Sequence, residues 1–111
     1  DRRALAVALR NLIQNALAYS PADRPVTVEI GSTGSMAEVA VMDRGSGVPS
    51  PERGRIFEPF GRGAVGMASG RPGLGLGLAL ADRVARAHRG TVACEDRPGG
   101  GAIFRLRLPL R

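Results

Sequence analysis

Residues 70–84 read GRPGLGLGLALADRV, and the fold turns on what this stretch is for. Gly73, Gly75 and Gly77 alternate with leucines and lead into an apolar, helix-like run. Glycine in a helix costs roughly 1 kcal/mol relative to alanine, so the chain needs something here that alanine would not supply. Three uses compete: a flexible hinge, a dinucleotide loop, and a backbone cradle for phosphate. A P-loop needs GxxxxGK[ST], and the chain contains no lysine. A Rossmann fingerprint needs G-x-G-x-x-G directly after a strand; position 78 is leucine, and a glycine-rich loop precedes the run. Glu95 and Asp96 lie about twenty residues on, where a ribose-binding acid would be sought, but without the strand they are a decoy. Two uses survive: the hinge, and a helix N-terminus whose bare backbone N–H groups face an anion.

On the C-terminal side, Leu76, Leu80, Val84 and Ala87 give a helix that ends near Gly90. Residues 91–95 and 102–108 then alternate as strands, with DRPGGG as the turn between them. On the N-terminal side, residues 61–73 hold glycines without periodicity and read as a mobile loop. Residues 52–58 read as a short helical turn ending in EPF, after the loop DRGSGVPSPERG. Residues 26–30 (VTVEI) and 37–43 (AEVAVMD) alternate as a hairpin around GSTGS. The chain opens with an amphipathic helix from Arg3 to about Tyr19, its buried face drawn by Leu5, Leu9, Leu12, Ile13, Ala16 and Leu17, and Pro21 and Pro25 stop it. Two helices and two hairpins predict a two-layer α/β (α+β) sandwich with the helices on one sheet face.

Composition narrows the function. The 111 residues are 43% hydrophobic, which fits one globular domain, or a piece cut from a longer protein. No apolar run approaches the roughly 18–20 residues of a membrane span, and the charged start lacks the layout of a signal peptide. The single cysteine, Cys94, reads as a reduced, apolar strand residue, and no Cys/His cluster has metal-ligand spacing. The net charge is +6 and all 16 basic residues are arginine. Their scatter along the chain, with aromatics at only 4%, argues against direct nucleic-acid binding. An anionic small ligand fits the charge as well.

Three further patterns carry chemistry. Asn11, Asn15 and Tyr19 are spaced by four and form a stripe beside the apolar face of the first helix. A carboxamide oxygen is a neutral, hard donor suited to Mg²⁺, which keeps waters and phosphate oxygens as its other ligands. The plainer alternative is a pair of solvated asparagines on a helix rim. In DRGSG, Asp43 ends a strand and Gly45 and Gly47 open the backbone after it, so the carboxylate can accept a hydrogen bond from an amino group such as purine N6. The plainer alternative there is an Asp-Gly turn. His88, in RAHRG, suits a helix C-terminus, where an imidazole is favourable.

In order, NLIQNALAYS, DRGSG, IFEPF, GLGLGLAL and GGGAIFRLRLP resemble the ATP-binding catalytic domain of sensor histidine kinases, in the GHKL superfamily. The resemblance runs from Arg3 to Leu110. It implies the Bergerat fold with a mixed sheet, ATP bound beneath a lid at about residues 61–73, and transfer of the γ-phosphate to a histidine. On this resemblance Asn15 is the Mg²⁺ ligand, Asn11 lies near phosphate or metal, and Tyr19 sits against the nucleotide. Asp43 is the adenine-binding aspartate, with Gly45 and Gly47 shaping its pocket. Phe57 and Phe60 anchor the lid, Arg62 reaches phosphate, and Gly73, Gly75 and Gly77 line the phosphate side; Phe104 is core. One departure is Ala18, where the family often carries a basic residue. The clamp-type ATPases of the superfamily carry ExxxN; here Asn11 replaces the glutamate, which removes the general base for hydrolysis. His88 lacks the setting of a phosphoacceptor, so the resemblance implies a separate phosphoacceptor and dimerisation domain of the same protein. It also implies a response regulator downstream, and a cytoplasmic domain of a membrane-anchored, homodimeric parent. A degenerate domain that binds ATP without catalysis is the alternative.

Overall fold

The computed structural model describes residues 2–48, 51, 55–57 and 76–110. Helix α1 spans Arg2–Tyr19, and strands β1 (Thr27–Thr33) and β2 (Met36–Met42) follow. A short 3-10 turn covers Arg55–Phe57. Helix α2 spans Leu76–Ala87, and β3 (Thr91–Asp96) and β4 (Ala102–Pro109) close the chain. The strands form one sheet in the order β1-β2-β4-β3. Every pairing among them is antiparallel, which corrects the expectation of a mixed sheet. The crossover through α2 does bring β3 parallel to β2, but β4 returns into the gap between them and pairs with both.

The register explains the core. Val41 and Cys94 both lie opposite Phe104, and Val39 and Val92 both lie opposite Leu106. Alternate residues share a face, so these six present one apolar surface to the helices. Phe104, Val41 and Leu12 are the largest fully buried side chains, each contributing about 1.5–3 kcal/mol of burial free energy.

Both helices sit slightly rotated from their expected faces. In α1 the fully buried positions are Ala8, Leu12 and Ala16, while Leu17 is 61% exposed; five residues beyond Leu12 is about 140° around the helix. In α2 Ala81 and Ala85 are fully buried, whereas Leu80 is exposed. The two helices pack on each other as well as on the sheet, and an alanine-lined seam lets helix axes approach closely. Leucine stripes flag the apolar side of a helix, but helix–helix contact selects the small residues beside them.

β1 runs further than expected, through Gly31 to Thr33, and turns at Gly34–Ser35. Val28 and Ile30 lie opposite the core residues Val41 and Val39, yet both are exposed. The helices lie over β2, β4 and β3, so the edge strand projects beyond the layer that would cover it.

Candidate nucleotide site

The site is assembled at one end of the sheet, where β2 stops. Asp43 follows β2 directly. Its amide donates to the carbonyl of Ala102 at 2.9 Å, extending the β2–β4 pairing by one bond. Its Oδ1 accepts from Gly45 N at 2.9 Å and from Ala102 N at 3.1 Å. The bond to Gly45 is the local Asx turn of the plainer reading, but the bond to Ala102 reaches across the sheet. Both end on one oxygen, which leaves Oδ2 without a partner among the described residues. Asp43 is 3% exposed and is the one buried polar or charged side chain among them. None of the ion pairs between described residues includes it.

Burying a carboxylate without a counter-ion is costly, and buried polar atoms nearly always find partners. An acceptor oxygen fixed at a strand end, with no partner among the described residues, is therefore suited to a ligand that brings a hydrogen-bond donor. The two backbone N–H bonds also fix which oxygen is Oδ1 and where Oδ2 points. Gly47 is at φ +81, a conformation L side chains rarely adopt, and a Cβ on it would lie 3.4 Å from Gly101 O. Gly45 contributes its N–H.

Of the other expected site residues, Asn11, Asn15 and Tyr19 lie on α1 and Gly77 on α2. A Cβ built on Gly77 would lie 3.5 Å from Asn11 Cγ, so the first turn of α2 rests against the asparagine stripe of α1. The sequence had placed these two features in separate motifs, and packing brings them together. Asn11 and Asn15 are half-buried, one helical turn apart. Tyr19 is the last residue of α1; its side chain, and all of Phe60, Arg62, Gly73 and Gly75, lie outside the described residues, as does the loop at residues 61–73. Phe57 packs edge-on against Phe104, with ring centroids 6.2 Å apart and planes at 78°, which is the core-packing role open to it. Ala18 is exposed. His88 donates from Nδ1 to Val84 O at 2.8 Å, a helix-end contact in keeping with a structural role.

For a metal, no group of three or more His, Cys, Asp or Glu side chains occurs among the described residues. The polar side chain shown beside the first turn of α2, Asn11, is a carboxamide, and Asn15 stands one helical turn further along α1. Such a donor set suits a hard cation that arrives with phosphate and water ligands, and does not suit a soft transition metal.

Sequence reasoning missed Ser20, Arg44, Arg97 and Gly101, all of which hold Asp43 or its loop. Arg44 N donates to Ser20 Oγ at 2.9 Å, tying the loop to the end of α1. A Cβ on Gly101 would lie 2.1 Å from Asp43 O, so no other residue fits there. The available signal was the triple glycine in DRPGGG, more than a hairpin turn requires.

The comparisons agree with this geometry. Residues 1–111 match the family described as "Histidine kinase-, DNA gyrase B-, and HSP90-like ATPase". Among curated proteins, the sensor-like histidine kinase SenX3 of Mycobacterium tuberculosis is 41% identical over 109 residues, which is 98% of this chain and 27% of SenX3. The alginate biosynthesis sensor protein KinB of Pseudomonas aeruginosa is 37% identical over 110 residues, 99% of this chain and 18% of KinB. The chain thus spans about a quarter or less of these relatives' length. Among solved structures, the mycobacterial sensor histidine kinase MprB superposes with a TM-score of 0.86 at 32% identity, covering 98% of this chain and 72% of that one. Full-length ShkA in complex with AMPPNP superposes at 0.80 and 32% identity, covering 96% of this chain and 21% of that one. No helix among the described residues is long and apolar enough to cross a membrane. The fold is the Bergerat fold of histidine kinase ATP-binding domains, and the chain belongs to the histidine kinase-, DNA gyrase B- and HSP90-like ATPase family.

Proposed function

We propose that this chain binds Mg-ATP and positions its γ-phosphate for transfer to a histidine on a separate phosphoacceptor domain of the same protein. The observation that carries the reading is Asp43: buried, held by two backbone N–H groups on Oδ1, with Oδ2 without a partner among the described residues. A carboxylate oxygen accepts from the exocyclic amine of adenine and repels the carbonyl that guanine presents at the same ring position. The AMPPNP bound by ShkA is an adenine nucleotide analogue and supports the same ligand class here.

The residues then divide the work. Asp43 orients the base, with Gly45 and Gly47 opening its loop. Asn11 and the start of α2 at Gly77 face one another where the phosphates would lie, with Gly73 and Gly75 preceding on the same run. Asn15 would hold Mg²⁺, which would supply positive charge against the phosphates. Tyr19, Phe57, Phe60 and Arg62 are assigned to the nucleotide and its lid at residues 61–73. Asn11 does not accept a proton at neutral pH, so no side chain at that position activates water. Catalysis is then positioning and charge neutralisation for an outside nucleophile. His88, engaged with Val84 O, is not that nucleophile. The partners that follow are a phosphoacceptor and dimerisation domain, a response regulator, and a homodimeric, membrane-anchored parent.

The test is to mix this chain with Mg-ATP labelled at the γ-phosphate and the parent's phosphoacceptor helices. Acid-labile phosphohistidine on the helices is expected. ATP binding without label would overturn the kinase reading in favour of a non-catalytic nucleotide sensor.

A further inference from the structure

A carboxylate held by backbone groups is only as well aimed as the segments that carry them. Two segments meet at Asp43: residues 43–47, after β2, and residues 97–101, between β3 and β4. Each sends one arginine to the other. Arg44 Nη1 donates to the carbonyls of Pro98 at 2.9 Å and Gly100 at 3.0 Å. Arg97 Nη1 donates to the carbonyl of Asp43 at 3.2 Å. The hairpin turn does not need these bonds, because Gly100 N to Arg97 O at 2.9 Å and Arg97 N to Gly101 O at 3.1 Å already close it. Two long side chains give up rotamer freedom to join them, and both Arg44 bonds leave one nitrogen, Nη1, whose two N–H groups take one carbonyl each. The clasp spans the segment that supplies Ala102 N and the segment that supplies Gly45 N, the two donors to Asp43 Oδ1.

We propose that Arg44 and Arg97 are positioning residues for base recognition: a reciprocal arginine clasp that fixes the direction of Asp43 Oδ2. The inference rests on the nucleotide-binding reading and deepens it. The arginines act through Asp43, so loosening the clasp weakens binding at the base end alone. The loss should be the same whether the ligand carries three phosphates, two or none. A role in stability alone would lower the melting temperature and leave the affinity of the folded protein unchanged.

The experiment measures calorimetric affinities of the whole chain, Arg44→Ala, Arg44→Lys and Arg97→Gln for ATP, ADP and adenosine, with melting temperatures alongside. The expected result is a roughly threefold to tenfold loss in Arg44→Ala and Arg97→Gln, a fraction of what one charge-assisted hydrogen bond is worth. The loss is equal for all three ligands and is partly restored in Arg44→Lys. The Arg44 bonds are exposed, so Arg44→Ala carries the test if Arg97→Gln does not fold. Unchanged affinities in a folded Arg44→Ala would overturn the clasp, as would a loss that grows with phosphate number. Failure of the unaltered chain to bind any of the three would overturn the nucleotide reading itself.

Discussion

Glu38 and Asp43 stand at either end of one short stretch of chain, and the fold treats their charges in opposite ways. Glu38 lies on the sheet face away from the helices, beside Arg105, Arg107 and Glu95. Arg105 reaches Glu38 and Glu95 at 2.9 Å each, and Arg107 reaches Glu38 at 2.6 Å. These side chains keep roughly a quarter to a half of their surface in solvent, so their pairing costs little desolvation and contributes little stability. Asp43, at the end of the same strand, is buried with no ion pair among the described residues and one oxygen left over. Charges that serve only the surface satisfy one another. The buried charge has an oxygen without a partner among the described residues, and in the proposed reading that oxygen is the one that meets the base.

The sharpest way to break this contrast is Asp43→Asn. The two backbone donors require an oxygen at the Oδ1 position, so the new amide NH₂ takes the place of Oδ2 and sets donor against donor at the adenine amine. ATP affinity should fall roughly 100-fold, while the melting temperature holds or rises because a buried charge has gone. An unchanged calorimetric affinity would sink the adenine assignment. Gly101→Ala strikes both the fold and the site, since its Cβ would overlap Asp43 O at a φ of +106. A loss of about 2 kcal/mol in denaturant unfolding is expected, together with weaker ATP binding; an unaffected midpoint would mean the two segments are not locked. Asn15→Ala should lower ATP affinity on the order of tenfold and only when Mg²⁺ is present. If binding stays equally metal-sensitive, the ligand lies elsewhere.

The smallest effect belongs to the surface charges. A hydrogen bond from Arg107 holds the Glu38 carboxyl below its ordinary value of 4.5, with the charges of Arg107 and Arg105 adding to it. The stability this confers is present in full above pH 4.5 and is lost as pH falls through the lower folded value. Glu38→Gln should therefore be slightly less stable at neutral pH, and the difference should shrink in acid and in high salt. Its ATP affinity should match that of the unaltered chain. A change in nucleotide binding would mean that the two faces of the sheet are coupled.

Element order and type were legible in the sequence because periodicity is local: the strands of VTVEI and AEVAVMD, the helix after the glycine run, and the asparagine stripe all needed only near neighbours. So was Asp43 as a candidate, from its place at a strand end before two glycines. The helix faces were read a step off, because leucine spacing marks apolarity and does not report which small residues a second helix will press against. The exposure of Val28 and Ile30 was equally hidden, since alternation does not say how far the helix layer reaches.

By itself, the sequence determined the elements, the absence of a P-loop lysine, and five motifs whose order points to one family. Only the tertiary structure decided that β4 lies between β2 and β3, that Gly77 meets Asn11, and that Ala102 N and Gly45 N both bind Asp43 Oδ1. Each of these depends on groups far apart in the chain: Ala102 is 59 residues from the carboxylate it binds, and Arg97 is 54 residues from the carbonyl it holds. Hydrogen bonds and close packing act over a few ångströms of space whatever the separation along the chain, so the motifs become a site only once the sheet has brought them together.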